Sequence, residues 1–117
     1  MSVNIFAVTF DCADAARLAG FWSGVLERPV DDGATAEMAS VAPKEGGPHW
    51  YFMQVPEGKT VKNRMHPDLS TPDLAAEVQR IIALGAKTAA EFDEGGFRWV
   101  TMLDPEGNEF DVLASES

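Results

Sequence analysis

Carboxylates are plentiful in this sequence, but imidazole and thiol groups suited to proton transfer, metal ligation or nucleophilic attack are few. There are two histidines, His49 and His66, and a single cysteine, Cys12. His66 stands in the string Lys62-Asn63-Arg64-Met65-His66-Pro67-Asp68, within a stretch that reads as a strand from Lys62 to Leu69. An imidazole on a strand face can act as a general acid or base, with a carboxylate such as Asp111 orienting it or serving as a separate base. The competing reading is a histidine hydrogen-bonded within its sheet and an aspartate that is merely solvated. His49 follows a Gly-Pro break and has the wrong parity to join Gln54 on a shared face. Cys12 ends a strand with no histidine near it in sequence, and a lone buried thiol is usually inert packing. Lys59, Lys62 and Arg64 form a basic cluster that would suit an anionic ligand. Pairing with surplus carboxylates, across a junction within the chain or between subunits, is the favoured alternative. No nucleophile elbow, phosphate loop, CxxC pair or dinucleotide fingerprint occurs.

The elements that must position these groups are written twice. Val3 to Phe10 has strand character, and Asp14 is a candidate N-cap. Leu18, Phe21, Trp22, Val25 and Leu26 follow at helical spacing, and Pro29 stops them. Strands are expected near Val30, over Glu37 to Val41 and over Trp50 to Val55, before the break at Pro56-Glu57-Gly58. The pattern then restarts. Thr71 is expected as N-cap, with Pro72 at the first helical position and Asp73 in the first turn. Leu74, Val78, Ile81 and Ile82 make the apolar stripe, and Gly85 ends the helix. Lys87 to Ala90, Phe97 to Leu103 and Glu109 to Leu113 are the last three strands. Asp93-Glu94-Gly95-Gly96 reads as a hairpin loop, and Asp104-Pro105-Glu106-Gly107-Asn108 as a tight turn.

Each half is therefore strand, helix, strand, strand, strand. The expected fold class is α+β: two βαβββ modules, approximately residues 1–57 and 58–117. Each is a curved mixed sheet with one helix, and the two open faces together enclose a cavity. If the turn pairs Leu103 with Glu109, Thr101 lies across from Asp111 and Trp99 across from Leu113. Phe110 and Val112 then point under the helix, while Glu109, Asp111 and Leu113 point to the open side. Trp50, Phe52 and Gln54 share a parity and are assigned to the pocket as well, giving aromatic walls with a few polar groups.

Composition narrows the function classes. The 117 residues suit one domain, and 45% hydrophobic content is ordinary for a packed core. Nine basic against 19 acidic residues leave a net charge of -10, which disfavours nucleic acid and anionic membrane surfaces. No apolar run is long enough to span a bilayer, and no signal peptide is expected. One cysteine permits no internal disulfide and fits a cytoplasmic location.

Four segments together resemble a known family: Asp14 to Leu26 with its Phe21-Trp22 pair; Val55-Pro56-Glu57 with Lys59; Lys62-Asn63-Arg64 with His66 and Asp68; and Asp104-Pro105-Glu106-Gly107-Asn108-Glu109-Phe110. The chain is similar to the glyoxalase-like branch of the vicinal oxygen chelate superfamily, which also holds bleomycin-resistance proteins and extradiol dioxygenases. The resemblance implies paired βαβββ modules, usually a homodimer, and often one divalent metal per cavity. Its four ligand positions map here to Phe6 or Ala7, Gln54, His66 and Asp111. One position is apolar and only one histidine remains, so no resident metal or other cofactor is expected. The alternative is a divalent ion held weakly by Gln54, His66 and Asp111 with water completing its shell. The ligand is expected to be a small molecule, with His66 and Asp111 as catalytic groups and Phe52, Gln54, Trp99 and Thr101 lining its site. The function would be that of a lyase, isomerase or dioxygenase, or else of a protein that binds and sequesters an antibiotic-like molecule without turning it over.

Overall fold

The computed structural model describes residues 2 and 4–115. It is α+β and divides into two compact units, Met1–Gly58 and Lys59–Ser117. No helix among the described residues is long and apolar enough to cross a membrane.

The first unit contains β1 (Ala7–Cys12), α1 (Ala15–Leu26), β2 (Met38–Val41) and β3 (His49–Gln54). The strand order is β1-β3-β2, with β1 parallel and β2 antiparallel to β3. The strand expected near Val30 is reduced to one antiparallel bridge with Val41, on the outer side of β2. β1 begins at Ala7 because its partner strand begins at His49, just after the turn in which Gly47 N–H donates to Lys44 O. Of the earlier part of the expected strand, Val3 lies outside the described residues. Asp14 caps α1 by accepting the Arg17 N–H at 3.2 Å. At the other end Glu27 adopts a left-handed conformation, φ 57°, ahead of Pro29.

The core of this unit lies between α1 and the sheet. Phe10 packs on Trp22, Trp50 and Phe52 with ring centroids 5.3, 5.7 and 5.3 Å away, and Trp22 stacks on Trp50 at 5.5 Å. The face of β3 that carries Trp50 and Phe52 is therefore the helix-covered one, which corrects the assignment of Phe52 to a pocket wall. The physical reason is pairing: Phe52 lies beside Phe10 and Ala39, both buried, and Phe52 itself is wholly buried. The opposite face carries Tyr51 and Met53.

The second unit is a full βαβββ module: β4 (Asp68–Thr71), α2 (Leu74–Leu84), β5 (Lys87–Glu94), β6 (Phe97–Leu103) and β7 (Glu109–Ala114). Its order is β4-β7-β6-β5, with β4 parallel to β7 and the other pairs antiparallel. In chain terms this is first, last, third, second, the order the first unit follows with the Val30 bridge in place of a strand. Leu74, Val78 and Ile81 bury one stripe of α2, whereas Ile82, expected on that stripe, is 38% exposed. The N-cap is Asp73, which accepts the Ala76 N–H, and not Thr71. Thr71 is still in the ladder, paired with Ala114, and its hydroxyl accepts the Asp73 N–H at 3.2 Å. Pro72 thus precedes the cap. β5 runs on to Glu94 because Gly95 and Gly96, both at positive φ, make a two-residue hairpin turn into β6.

Two devices hold β7 in place. Asp104, 4% exposed, accepts N–H groups from Glu106 and Asn108 on Oδ1, each at 2.9 Å, and the Asn108 amide bonds Oδ2 at 2.9 Å. This Asx turn, with Gly107 at φ 88°, sets the pairing Leu103↔Glu109. The second device is Glu109. Its Oε1 accepts the Asn63 N–H at 2.8 Å, and Lys59 Nζ lies 3.3 Å from the same carboxylate. Asn63 Nδ2 also donates to Glu109 O at 3.3 Å. The segment expected as a strand from Lys62 is tied down by these side-chain bonds instead, and the ladder starts only at Asp68.

Burial pushes the Glu109 pKa up, but the N–H groups of Asn63 and of Glu109 itself, with the Lys59 ammonium, outweigh that and hold it below the ordinary glutamate range. A carboxylate with a depressed folded pKa adds stability above its unfolded pKa, and that stability is lost as the pH falls through the folded value. Glu109→Gln is expected to cost about 1 kcal/mol at neutral pH and to flatten the loss of stability below about pH 5, in denaturant melts across pH. Phe52→Ala is expected to lose about 3–5 kcal/mol in the same melts, as a core deletion rather than a change at a binding surface.

Candidate functional site

The face of the second unit's sheet that bears Asp111 is set by strand alternation. Phe110 and Val112 are fully buried on the other face, and Asp111 lies between them in sequence. Parallel pairing puts Asp68 directly beside Asp111, and antiparallel pairing puts Thr101 on its other flank. Three neighbouring strands therefore present one polar row: Asp68, Asp111 and Thr101. His66 joins the row from just before β4. Its position is held because Asp111 N–H donates to Pro67 O at 3.0 Å, so the sheet grips the residue between His66 and Asp68.

Within this row the side chains are in contact. The Thr101 hydroxyl donates to Asp111 Oδ1 at 2.7 Å. His66 Nδ1 lies 2.8 Å from Asp68 Oδ1 and 3.8 Å from Asp111 Oδ2. The Asp111 side chain is 18% exposed, His66 36% and Asp68 55%, so the cluster is accessible while Asp111 is its most enclosed member. The next row on the same face is apolar. Trp99 stands opposite Leu113 in β7 and stacks on its β5 neighbour Phe92, with centroids 4.8 Å apart and an interplanar angle of 17°.

Of the residues singled out from sequence, His66, Asp111 and Thr101 are brought together, with Trp99 one row away. The register that places them is the expected one, Thr101 opposite Asp111 and Trp99 opposite Leu113. Gln54 and Phe52 belong to the first unit. Gln54 donates its side-chain amide to Ala13 O at 2.9 Å, and Phe52 is core. Cys12 is buried with Sγ 3.5 Å from Met53 O, as packing requires. His49 sits among rings, 4.7 Å from Phe6 and 5.8 Å from Tyr51. Of the basic cluster, Lys59 is engaged with Glu109, while Lys62 and Arg64 are exposed.

Asp68 is the member that sequence reasoning missed. Its i, i+2 spacing from His66 was visible, since residues two apart on an extended chain share a side. Its pairing with Asp111 was not, because the expected strand began six residues too early. Asp68 raises the local donor count to three, with one ligand atom each from His66, Asp68 and Asp111 all within 4.8 Å of one another. Two carboxylates and one imidazole suit a hard or borderline divalent ion, with water filling the remaining positions.

Comparison with known proteins places this chain in a family. The model of the glyoxalase-like domain matches residues 7–113. No curated protein sequence matches the chain. Among solved structures, a glyoxalase/bleomycin resistance protein/dioxygenase family enzyme from Burkholderia phytofirmans PsJN superposes with a TM-score of 0.78 at 16% identity, covering 96% of this chain and 98% of that one. A variant of the fosfomycin resistance protein FosX from Listeria monocytogenes, complexed with Mn(II) and 1S,2S-dihydroxypropylphosphonic acid, gives 0.77 at 14% identity, covering 99% and 92%. A lactoylglutathione lyase from Agrobacterium tumefaciens gives 0.68 at 13% identity, covering 98% and 96%. At these identities the likeness is one of fold. The family match leads to one statement: this chain belongs to the glyoxalase-like domain family.

Proposed function

We propose that the β6–β7 face of the second unit binds a small oxygenated molecule and moves a proton on it, with His66 as the acid–base group. The observation that carries this reading is the convergence of two hydrogen-bonded pairs, His66 with Asp68 and Thr101 with Asp111, on one accessible sheet face, with His66 3.8 Å from Asp111. Asp111 accepts from Thr101 through Oδ1, which leaves Oδ2 to accept from a ligand hydroxyl or to face the imidazole. A ligand with its oxygens at this row would lay an apolar portion along Trp99 and Leu113, about 7 Å further on, since same-face residues along a strand are two rises apart. Two structural neighbours support the class of ligand: one is named a lactoylglutathione lyase, and another holds a dihydroxypropylphosphonic acid.

A divalent ion held by His66, Asp68 and Asp111 would supply a Lewis acid to polarise a ligand oxygen. The proton transfer proposed for His66 does not require it. Two of the three donors are already hydrogen-bonded to each other, His66 to Asp68, and an ion would have to compete with that bond. The purified protein is accordingly expected to carry well under one equivalent of Mn, Fe, Ni or Zn per chain by elemental analysis. A full equivalent would move the reading from proton transfer to metal-assisted chemistry at the same residues.

The test of function is a thermal-shift screen of small hydroxy acids, ketones, phosphonates and antibiotics, with and without divalent metal, followed by recovery of each hit. A hit consumed on incubation supports the enzyme. A hit recovered unchanged would make the chain a sequestering protein, for which the apolar row and the polar row suffice without turnover. His66→Ala is expected to weaken the response to a hit at least tenfold while changing unfolding stability by less than about 1 kcal/mol, as for a half-exposed polar side chain. Intact ligand response with collapsed stability would make His66 structural and remove it from the site.

A further inference from the structure

We infer that Asp68 is a positioning residue that fixes the tautomer of His66, with the proton on Nδ1 and the lone pair presented by Nε2. The inference deepens the reading of His66 as the acid–base group and rests on it for its functional meaning.

A neutral imidazole can carry its proton on either nitrogen, and the hydrogen bond made by one nitrogen decides the role of the other. Asp68 Oδ1 lies 2.8 Å from His66 Nδ1. An ionised carboxylate can only accept, so the proton in that bond belongs to Nδ1. Asp111 Oδ2, 3.8 Å from the same nitrogen, adds negative charge on the same side and favours the same tautomer. The Asp68 backbone and the Asp111 carboxylate are both fixed. Asp68 is the first ladder residue of β4, paired with Asp111. Asp111 is tethered by the Thr101 hydroxyl at 2.7 Å and, through its N–H, to Pro67 O. His66 precedes a proline, which biases it to extended conformations, so His66 and Asp68 project to one side across a single intervening residue.

The chemical consequence concerns direction. Nε2 is the nitrogen that takes a proton from a ligand O–H or C–H, the bonding pair remaining on the ligand. The resulting imidazolium is stabilised by Asp68 and Asp111 together, and the same proton returns from Nε2 to the product. Asp68 touches neither ligand nor reacting atom in this scheme. It acts through the orientation and tautomer of its neighbour, as outer carboxylates do for ligating and catalytic histidines. The arrangement also separates two uses of Asp68. If Asp68 were instead a third metal ligand alongside Nδ1, then Nδ1 would have to present a lone pair and the proton would sit on Nε2.

Long-range ¹H–¹⁵N correlation spectra of the imidazole nitrogens decide the matter without any ligand, recorded as a pH series in which the neutral form is identified by its own nitrogen shifts. The chain has only two histidines, so a His49→Gln variant assigns the remaining signals to His66. The wild-type protein is expected to show a protonated-type Nδ1 and a lone-pair-type Nε2. In Asp68→Ala the Nδ1–H form should fall from the dominant to the minor population. Asp68→Asn, which keeps a carbonyl acceptor, should restore it in part. Amide spectra of each variant report folding, and the wild-type tautomer stands as a readout even if Asp68→Ala does not fold. A wild-type His66 with its proton on Nε2, or a tautomer unmoved in a folded Asp68→Ala, would overturn the inference. The expected tautomer in a protein that shifts with no ligand and turns none over would instead overturn the function proposed above and leave the role of Asp68 intact.

Discussion

The parallel register between β4 and β7 is the constraint on which the second unit depends. It sets Asp68 beside Asp111 and Leu69 beside Val112. Because strand side chains alternate, a slip of one residue in β7 would carry Asp111 under α2 and turn Phe110 and Val112 outward. Exposing those two fully buried side chains would forfeit roughly 1.5–3 kcal/mol each, and burying an unpaired carboxylate would cost several more. The register is therefore strongly specified by the apolar pair, and the polar row follows from it. The Asp104 turn and the Glu109 anchor reinforce the choice from one end of β7, and Ser115 N–H bonded to Thr71 O at 2.8 Å closes the other.

The polar row is thus a by-product of core packing. Nothing in the polar row has to pull the sheet together, since the opposite face already does so. That leaves His66, Asp68, Asp111 and Thr101 without a part in core packing. Their partial exposure lets solvent screen the repulsion between the Asp68 and Asp111 carboxylates. The aromatic pair Trp99–Phe92 lies on the same face and is stabilised as a cross-strand stack.

Much of this was legible before the structure, and the exceptions have definite causes. The β6–β7 hairpin was readable because its turn residues have fixed conformational roles and its strands alternate cleanly. The face of β3 was not. Trp50-Tyr51-Phe52-Met53 has a large apolar residue at every position, so alternation alone does not say which set a helix covers; the answer lies in the pairing with Phe10 and Ala39. The cap of α2 was placed at Thr71, but Thr71 stays in the β4 ladder and Asp73 caps the helix instead. The start of β4 was misplaced because the segment before it is held by Glu109, 46 residues further along the chain, through side-chain bonds that no local pattern announces. Asp68 was overlooked for the same reason. The vestigial strand at Val30 shows the opposite case, where a weak local signal matched a weak local structure.

The account stands on the polar row and the apolar row of one sheet face forming a single ligand surface. Amide chemical-shift mapping of the folded protein with a small oxygenated ligand tests this most directly. The account predicts perturbations concentrated at residues 66–68, 99–101 and 111–113, with the amides of α2 unmoved. Perturbations that leave those three segments untouched while moving others would contradict it.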